Sequence, residues 1–218
     1  MRTKILIADD HRIFAEALCK LLSASHEVIG MAENGRELVN LARELNPDVI
    51  VLDISMPLLN GMEALRMLRK AGVRGKFVML TMHTDVSIAS EAFRCGASAF
   101  VLKQAAGEEL NAAITAAMRG RYYLSSSFPV DLVTLLAEAV RRPNQESPHL
   151  TRRQREVLQL VAEGKTMKEV ATLLSLSTRT VESYKYEIMR VLGIHTNAQL
   201  VQYAIRIGAI TVAPIQAA

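Results

Sequence analysis

Short apolar runs alternate with longer amphipathic stretches through the first 120 residues. The segments KILIADD (4–10), VIVLD (49–53), FVMLT (77–81) and AFVLK (99–103) each carry four or five residues of strand character, and a fifth strand is expected near 27–32. Apolar positions at helical spacing predict helices near 12–24, 35–45, 61–70, 85–95 and 107–119. Asn34-Gly35, Asn60-Gly61, Gly72, Gly75 and Pro47 punctuate these helices as starts and stops. Strands alternating with helices of this length predict an α/β fold, a doubly wound sheet of five parallel strands. The unbroken Val49-Ile50-Val51-Leu52 run fits a strand covered on both faces.

After Gly120 the pattern changes. The pattern of residues 131–141 predicts one amphipathic helix, and the stretch RRPNQESPH that follows, with two prolines among polar residues, reads as an exposed linker. From Leu150 no strand pattern survives. Thr151, Thr166, Ser177 and Thr196 are N-cap candidates, and Gln154, Glu169 and Gln199 stand three residues after the first, second and fourth. These capping boxes predict a compact module of four helices. In the helix at 177–191, Val181, Tyr184, Ile188 and Leu192 share one face and should pack inward. Arg179, Glu182, Ser183, Tyr186 and Arg190 share the opposite face. In the last helix, 197–207, Leu200, Val201 and Ile205 are expected on the surface.

Composition narrows the class. With 218 residues, half of them hydrophobic, the chain has room for two small domains and looks like an ordinary globular protein. No run approaches the roughly 18 apolar residues of a membrane span, and the N-terminus turns acidic too soon for a secretory signal, so a cytoplasmic location without membrane association is expected. Cys19 and Cys95 lie in helical patterns among apolar neighbours and read as buried structural thiols. Basic side chains exceed acidic ones by nine to five after residue 149, whereas the first 125 residues are nearly balanced. A compact basic end points to nucleic acid.

The strand ends carry the chemistry. Asp9, Asp10, Asp53, Thr81 and Lys103 each fall at or just past the last residue of a strand, and ligands of open parallel sheets gather outside the carboxyl ends. Three carboxylates, a hydroxyl and an ammonium on one rim suit a divalent cation and a phosphoryl group carried on a carboxylate. An aspartate attacking phosphorus must overcome charge repulsion, and Mg²⁺ characteristically uses one or two carboxylates with waters and phosphate. Asp53, ending the central strand, is the candidate nucleophile. Lys103 would neutralise phosphoryl charge and Thr81 would donate a hydrogen bond to it.

Residues 1–120 resemble the receiver domain of two-component response regulators. The resemblance rests on the acidic pair in IADDH, the VLDISMPLLNG stretch around Asp53, Thr81 in VMLTMH and the Phe100-Val-Leu-Lys103 ending. It implies strand order 2-1-3-4-5. It also implies Asp53 as phosphoacceptor, Mg²⁺ on Asp9, Asp10, Asp53 and the Ser55 backbone carbonyl, and Phe100 as a switch aromatic that turns inward as Thr81 moves. Two positions depart from the family. Gln104 stands where most receivers have a cis-proline, which favours a trans bond or a reshaped loop. Met82 stands where a small residue is usual and is expected to crowd the phosphoryl pocket. The lifetime of the aspartyl phosphate is expected to be set partly by Met82 and His83.

Residues 149–212 resemble the helix-turn-helix of NarL/FixJ, or LuxR-type, regulators, carried by LTRRQREVLQLVAEGKTMKEVATLLSLSTRTVESYKYEIMRVLGIHTNAQLV. The resemblance implies base contacts from Glu182, Ser183 and Tyr186, with Arg179 and Lys185 nearer phosphates, and a dimer formed through Leu200, Val201 and Ile205 on an inverted repeat. Arg190 shares the groove-facing side. Lys165 and Lys168 read as phosphate contacts. Gly164-Lys165-Thr166 imitates the end of a nucleotide-binding loop, but Gln159 occupies the position where that motif needs its first glycine.

The expected organisation is therefore a receiver domain at 1–122, a linker with one amphipathic helix at 123–148 and a DNA-binding domain at 149–212. The expected function is a transcription regulator activated when a histidine kinase phosphorylates Asp53. It would dimerise when active and bind double-stranded promoter DNA, and it would have no turnover substrate. A phosphorylation-independent pseudo-receiver governed by a partner or ligand is the rival. A Mg²⁺-dependent phosphatase is disfavoured because Ser55 stands where such enzymes carry a second aspartate.

Overall fold

The computed structural model describes residues 2–128 and 150–210. The chain divides into two units, Met1–Glu146 and Ser147–Ala218. The amphipathic helix expected at 131–141 lies outside the described residues.

The first unit is a parallel sheet with helices on both faces. Its strands are β1 (Lys4–Ala8), β2 (Glu27–Ala32), β3 (Val49–Asp53), β4 (Lys76–Thr81), β5 (Ala99–Leu102) and β6 (Tyr123–Leu124). Helices α1 (Arg12–Leu22), α2 (Gly35–Leu45), α3 (Gly61–Lys70), α4 (Val86–Arg94) and α5 (Ala106–Met118) connect the first five strands and follow the fifth. The strand order is β2-β1-β3-β4-β5-β6. Each strand divides its side chains between two cores with a period of two. Leu6, Ile50, Leu52, Phe77, Met79 and Phe100 face a core closed by α2, α3 and α4. Ile5, Ile7, Val49, Val51, Val78, Leu80 and Val101 face one closed by α1 and α5. The central β3 is buried at every position.

The sheet has six strands where five were expected. After α5 the chain turns at Gly120, whose φ of 71° suits glycine, and returns along the open side of β5. Tyr123 N–H donates to the Ser98 carbonyl at 3.1 Å and Ser125 N–H to the Phe100 carbonyl at 2.9 Å. A two-residue strand thus covers an otherwise unpaired edge. Residues 123–128, assigned to the linker by sequence, form part of this sheet and its core, since Phe128 packs edge-on against Phe100 with ring centroids 5.6 Å apart. Glu109 of α5 fastens the segment by accepting hydrogen bonds from the Ser125 hydroxyl and from the Ser126 N–H and hydroxyl.

The second unit contains α6 (Arg152–Ala162), α7 (Met167–Leu174), α8 (Thr178–Leu192) and α9 (Asn197–Arg206). Capping boxes form at Thr151, Thr166 and Thr196, and the Ser177 hydroxyl accepts from Thr180 N–H at the start of α8. Gly193, at φ 64°, ends α8, and Ile194 N–H bonds back to the Met189 carbonyl. A buried polar layer was not anticipated. Glu156, 4% exposed, pairs with Arg152 at 2.8 Å and Arg153 at 2.5 Å. Gln154 donates to Glu187 of α8 at 3.1 Å, tying the first helix of the unit to the third.

Candidate functional site

The carboxyl ends of β1, β3, β4 and β5 bring the expected residues together. Asp53 closes β3 and Thr81 closes β4, while Asp9 and Lys103 follow β1 and β5 directly. Asp9, Asp53 and Thr81 are buried and Asp10 is exposed. Lys103 Nζ stands 2.7 Å from Asp9 Oδ2 and 2.8 Å from Asp53 Oδ2. One ammonium thus bridges the two buried carboxylates, leaving Asp10 as a further negative charge at the mouth. Candidate ligand atoms of Asp9, Asp10, His11 and Asp53 all lie within 4.8 Å of one another. His11 Nδ1 is 3.3 Å from Asp9 Oδ1 and 3.1 Å from Asp10 Oδ1.

Local sequence explains this placement. Gly61 starts α3 so close to β3 that a Cβ there would lie 2.0 Å from the Asp53 carbonyl oxygen, and its N–H donates to the Ile54 carbonyl. Leu58 adopts φ 65°, and Asn60 caps α3 by accepting from Glu63 N–H. The loop that fixes Asp53 is therefore tightened by the Met-Pro-Leu-Leu-Asn-Gly stretch. Lys103 begins a 3₁₀ turn, Lys103–Ala105, leading into α5, and no cis peptide occurs among the described residues. Gln104 accordingly follows a trans bond, one of the two outcomes its sequence allowed.

The electrostatics are those of a charge trap. Burial pushes the Asp53 carboxyl above its ordinary value, although the Lys103 ammonium pulls it down and Ser55 N–H donates to Oδ1 at 3.3 Å. Burial opposes the charge on Lys103, yet Asp53 and Asp9 outweigh it and hold the ammonium above its usual value. Ser55 Oγ and His83 Nε2 are 3.0 Å apart, and burial lowers the His83 pKa against the pull of Asp53 and Asp85. His83 N–H donates to Thr81 Oγ1 at 3.0 Å. Met82 is 63% exposed, so it does not fill the pocket that its size was expected to crowd. Phe100 is fully buried.

In the second unit, Arg179, Glu182, Ser183, Tyr186 and Arg190 are exposed on α8, with Tyr186 72% exposed, and Lys185 is half-buried. Val181 and Ile188 pack inward, while Tyr184 and Leu192 are only half-buried. Lys165 is half-buried before α7 and Lys168 is exposed in its first turn. Leu200 corrects an expectation: it is 1% exposed, a core residue aligned with buried Ala204 one turn on. Val201 and Ile205 flank that stripe and are half-buried. Both cysteines are half-buried rather than buried, and burial pushes the Cys95 thiol up to about 11, which disfavours a nucleophilic thiolate.

Two side chains near the rim carry no sequence signal of their role. Phe14 of α1 presents its ring 5.0 Å from Lys103 Nζ, and Phe128 covers Phe100. Each looks like any amphipathic or apolar position until the tertiary contact is formed.

Comparison with known proteins agrees with the geometry. Residues 5–115 match the response regulator receiver domain, and residues 148–204 match the bacterial regulatory proteins of the luxR family. The chain is 31% identical over 209 residues to the response regulator UvrY of Escherichia coli K12, covering 94% of both. It is 33% identical to the oxygen regulatory protein NreC of Staphylococcus aureus, covering 93% of this chain and 97% of that one. A solved structure of the RcsB response regulator of Salmonella typhimurium superposes with a TM-score of 0.65 at 26% identity, over 94% of this chain and 98% of that one. RcsB of Salmonella enterica serovar Typhimurium bound to promoter P1flhDC with phosphomimetic BeF3- gives 0.62 at 27% identity, over 93% and 98%. A parallel sheet with an acid–lysine trap at its carboxyl rim, joined to a capped helical unit with a polar face on its third helix, thus belongs to the two-component response regulators of the NarL/FixJ type.

Proposed function

We propose that this transcription regulator is switched by transfer of a phosphoryl group from a histidine kinase to Asp53. The observation carrying this reading is the Lys103 ammonium bridging buried Asp9 and Asp53 at 2.7 and 2.8 Å. A lysine so placed can follow the charge as it moves from carboxylate to phosphoryl oxygen. An Asp53 carboxylate oxygen attacks phosphorus, the O–P bond forms as the donor's P–N bond breaks, and the leaving imidazole keeps the electron pair and takes a proton from water. Lys103 then pairs with a phosphoryl oxygen, and Thr81 turns its hydroxyl to donate to another.

The donor set fits Mg²⁺. Asp9, Asp10 and Asp53 offer hard carboxylate oxygens close together, and the backbone carbonyl of Ser55 is the expected fourth contributor. Bound there, the cation supplies the positive charge that lets an anionic phosphoryl group approach an anionic side chain. The protein acts on itself and has no turnover substrate.

The readout runs through Phe100 and the second unit. Movement of Thr81 opens space beside Phe100, whose ring already packs against Phe128 at the start of the segment leading to the linker. In the active state two chains dimerise, with Val201 and Ile205 at the DNA-bound interface, and place two α8 helices on an inverted repeat of promoter DNA. Glu182, Ser183 and Tyr186 face base edges, with Arg190 beside them. Arg179, Lys165, Lys168 and Lys185 neutralise phosphates. Moving such a switch from 1% to 99% active takes about 5.5 kcal/mol of differential stabilisation.

Intact-protein mass after incubation with acetyl phosphate and Mg²⁺ tests the chemistry. A gain of about 80 Da, one phosphoryl group, that is absent in Asp53→Ala and abolished by EDTA is expected. An adduct that persists in Asp53→Ala would move the acceptor elsewhere, and no adduct at all would favour a pseudo-receiver.

A further inference from the structure

We infer that Phe14 is a positioning residue for phosphoryl acceptance, holding the Lys103 ammonium over the rim through its ring face. The inference rests on the reading of Asp53 as phosphoacceptor and deepens it. Lysine is a poor fixed charge on its own, because four methylenes must be frozen to aim one ammonium. Here two carboxylates aim it, at 2.7 and 2.8 Å. Both are consumed by the chemistry. Asp53 loses its carboxylate charge when it becomes an acyl phosphate, and Asp9 is a ligand of the expected cation. The Phe14 ring is the remaining contact, 5.0 Å from Nζ, and neither event alters it.

Phe14 is built to be a fixed wall. It lies in the first turn of α1, half-buried, and packs against the core formed by Ala15, Leu18, Val51, Val101 and Leu110. A cation over an aromatic face is held by the ring quadrupole, and the hold strengthens as water is excluded. The Lys103 side chain is only 8% exposed. The three N–H donors of the ammonium are then distributed between two acceptors and a ring face. The loop after Lys103 makes such a wall useful: a trans bond to Gln104 and a short 3₁₀ turn follow the lysine.

The test compares Phe14→Leu, which keeps apolar bulk and removes the ring, with Phe14→Tyr, which keeps the ring. In the full chain, the maximal rate of phosphorylation by acetyl phosphate with Mg²⁺ is expected to fall about three- to tenfold in Phe14→Leu and to stay near wild type in Phe14→Tyr. Unfolding midpoints of the two variants serve as the fold control. A second reading needs no phosphorylation. The Lys103 ε-methylene NMR signal, assigned by its loss in Lys103→Arg, is expected upfield in wild type and Phe14→Tyr and unshifted in Phe14→Leu. If wild type and Phe14→Leu react equally fast, or Phe14→Tyr is as slow as Phe14→Leu, or the lysine signal does not depend on the ring, the inference fails while the receiver reading stands. If wild type itself takes no phosphoryl group, the receiver reading fails, and this inference with it.

Discussion

Removing the Lys103 charge should cost far more than removing the acceptor it serves. Lys103→Met leaves Asp9 and Asp53 facing each other in a buried site without the cation that both touch. At 2.8 Å and an effective dielectric of 20, each contact has a gross attraction of about 6 kcal/mol, most of it offset by desolvation. Breaking a buried pair by deleting one partner typically costs about 3–5 kcal/mol, and we expect about 3 at pH 7. With a urea dependence of about 1–3 kcal/mol/M, the midpoint of the first unit should fall by roughly 1–3 M. Asp53→Asn differs in sign. It removes one of two carboxylates from one ammonium and leaves the Lys103–Asp9 pair intact, so stability should be unchanged or higher. The pH dependence follows. Burial raises the Asp53 pKa in the folded state, so its contribution is fully present below the unfolded carboxylate range and is lost as pH rises through the folded value. Without Lys103 that loss grows, so the Lys103→Met deficit should be widest near neutrality and close toward pH 4. Urea titrations read by circular dichroism, with hydrogen exchange of β1 and β3 amides to isolate the first unit, measure it. A Lys103→Met protein as stable as wild type at pH 7, or an Asp53→Asn protein less stable than Lys103→Met, would refute the charge-trap reasoning.

Other outcomes follow from single contacts. Gly61→Ala should displace the Asp53 backbone, because its Cβ would meet the Asp53 carbonyl at 2.0 Å; acceptance of phosphate should drop by more than tenfold, and a wild-type rate would contradict it. Glu156→Ala strips the buried anion from Arg152 and Arg153 of the second unit and should destabilise it by about 1–3 kcal/mol, lowering its thermal midpoint while leaving phosphorylation of the first unit intact. Thr166→Ala deletes a two-way capping box and should cost about 1 kcal/mol, read as a lowered thermal midpoint of the helical unit. Tyr186→Ala should weaken DNA binding with little loss of stability, since Tyr186 is 72% exposed; an unfolded variant would argue that the side chain is structural.

Much of this architecture is legible in the chain because the chemistry sits where the period changes. Strands β1, β3, β4 and β5 are each an apolar run ended by the charged or hydroxyl residue that matters, so finding the end of β3 also finds Asp53. The capping boxes announce α6, α7 and α9 in the same way, since the residues that satisfy free N–H groups must be at the helix start. What stays hidden depends on tertiary contact. Tyr123–Leu124 has too few residues to show a period, and its pairing with β5 is all backbone. Phe14 and Phe128 read as generic apolar residues until Lys103 and Phe100 are brought beside them. Leu200 shows a different limit. Periodicity says that Leu200 and Ala204 share a stripe adjacent to Val201 and Ile205, but only packing decides which stripe faces the core.

The central claim is that phosphate on Asp53 controls DNA binding by the second unit. Its most direct test is binding to duplex DNA selected for this protein from a random pool, by fluorescence anisotropy at fixed salt, for untreated, acetyl phosphate-treated and Asp53→Ala protein. Treated wild type should bind at least tenfold more tightly than untreated, with a preference for paired inverted half-sites, and Asp53→Ala should ignore the treatment. Equal affinity for all three forms would contradict the account and shift control to a signal that does not pass through Asp53.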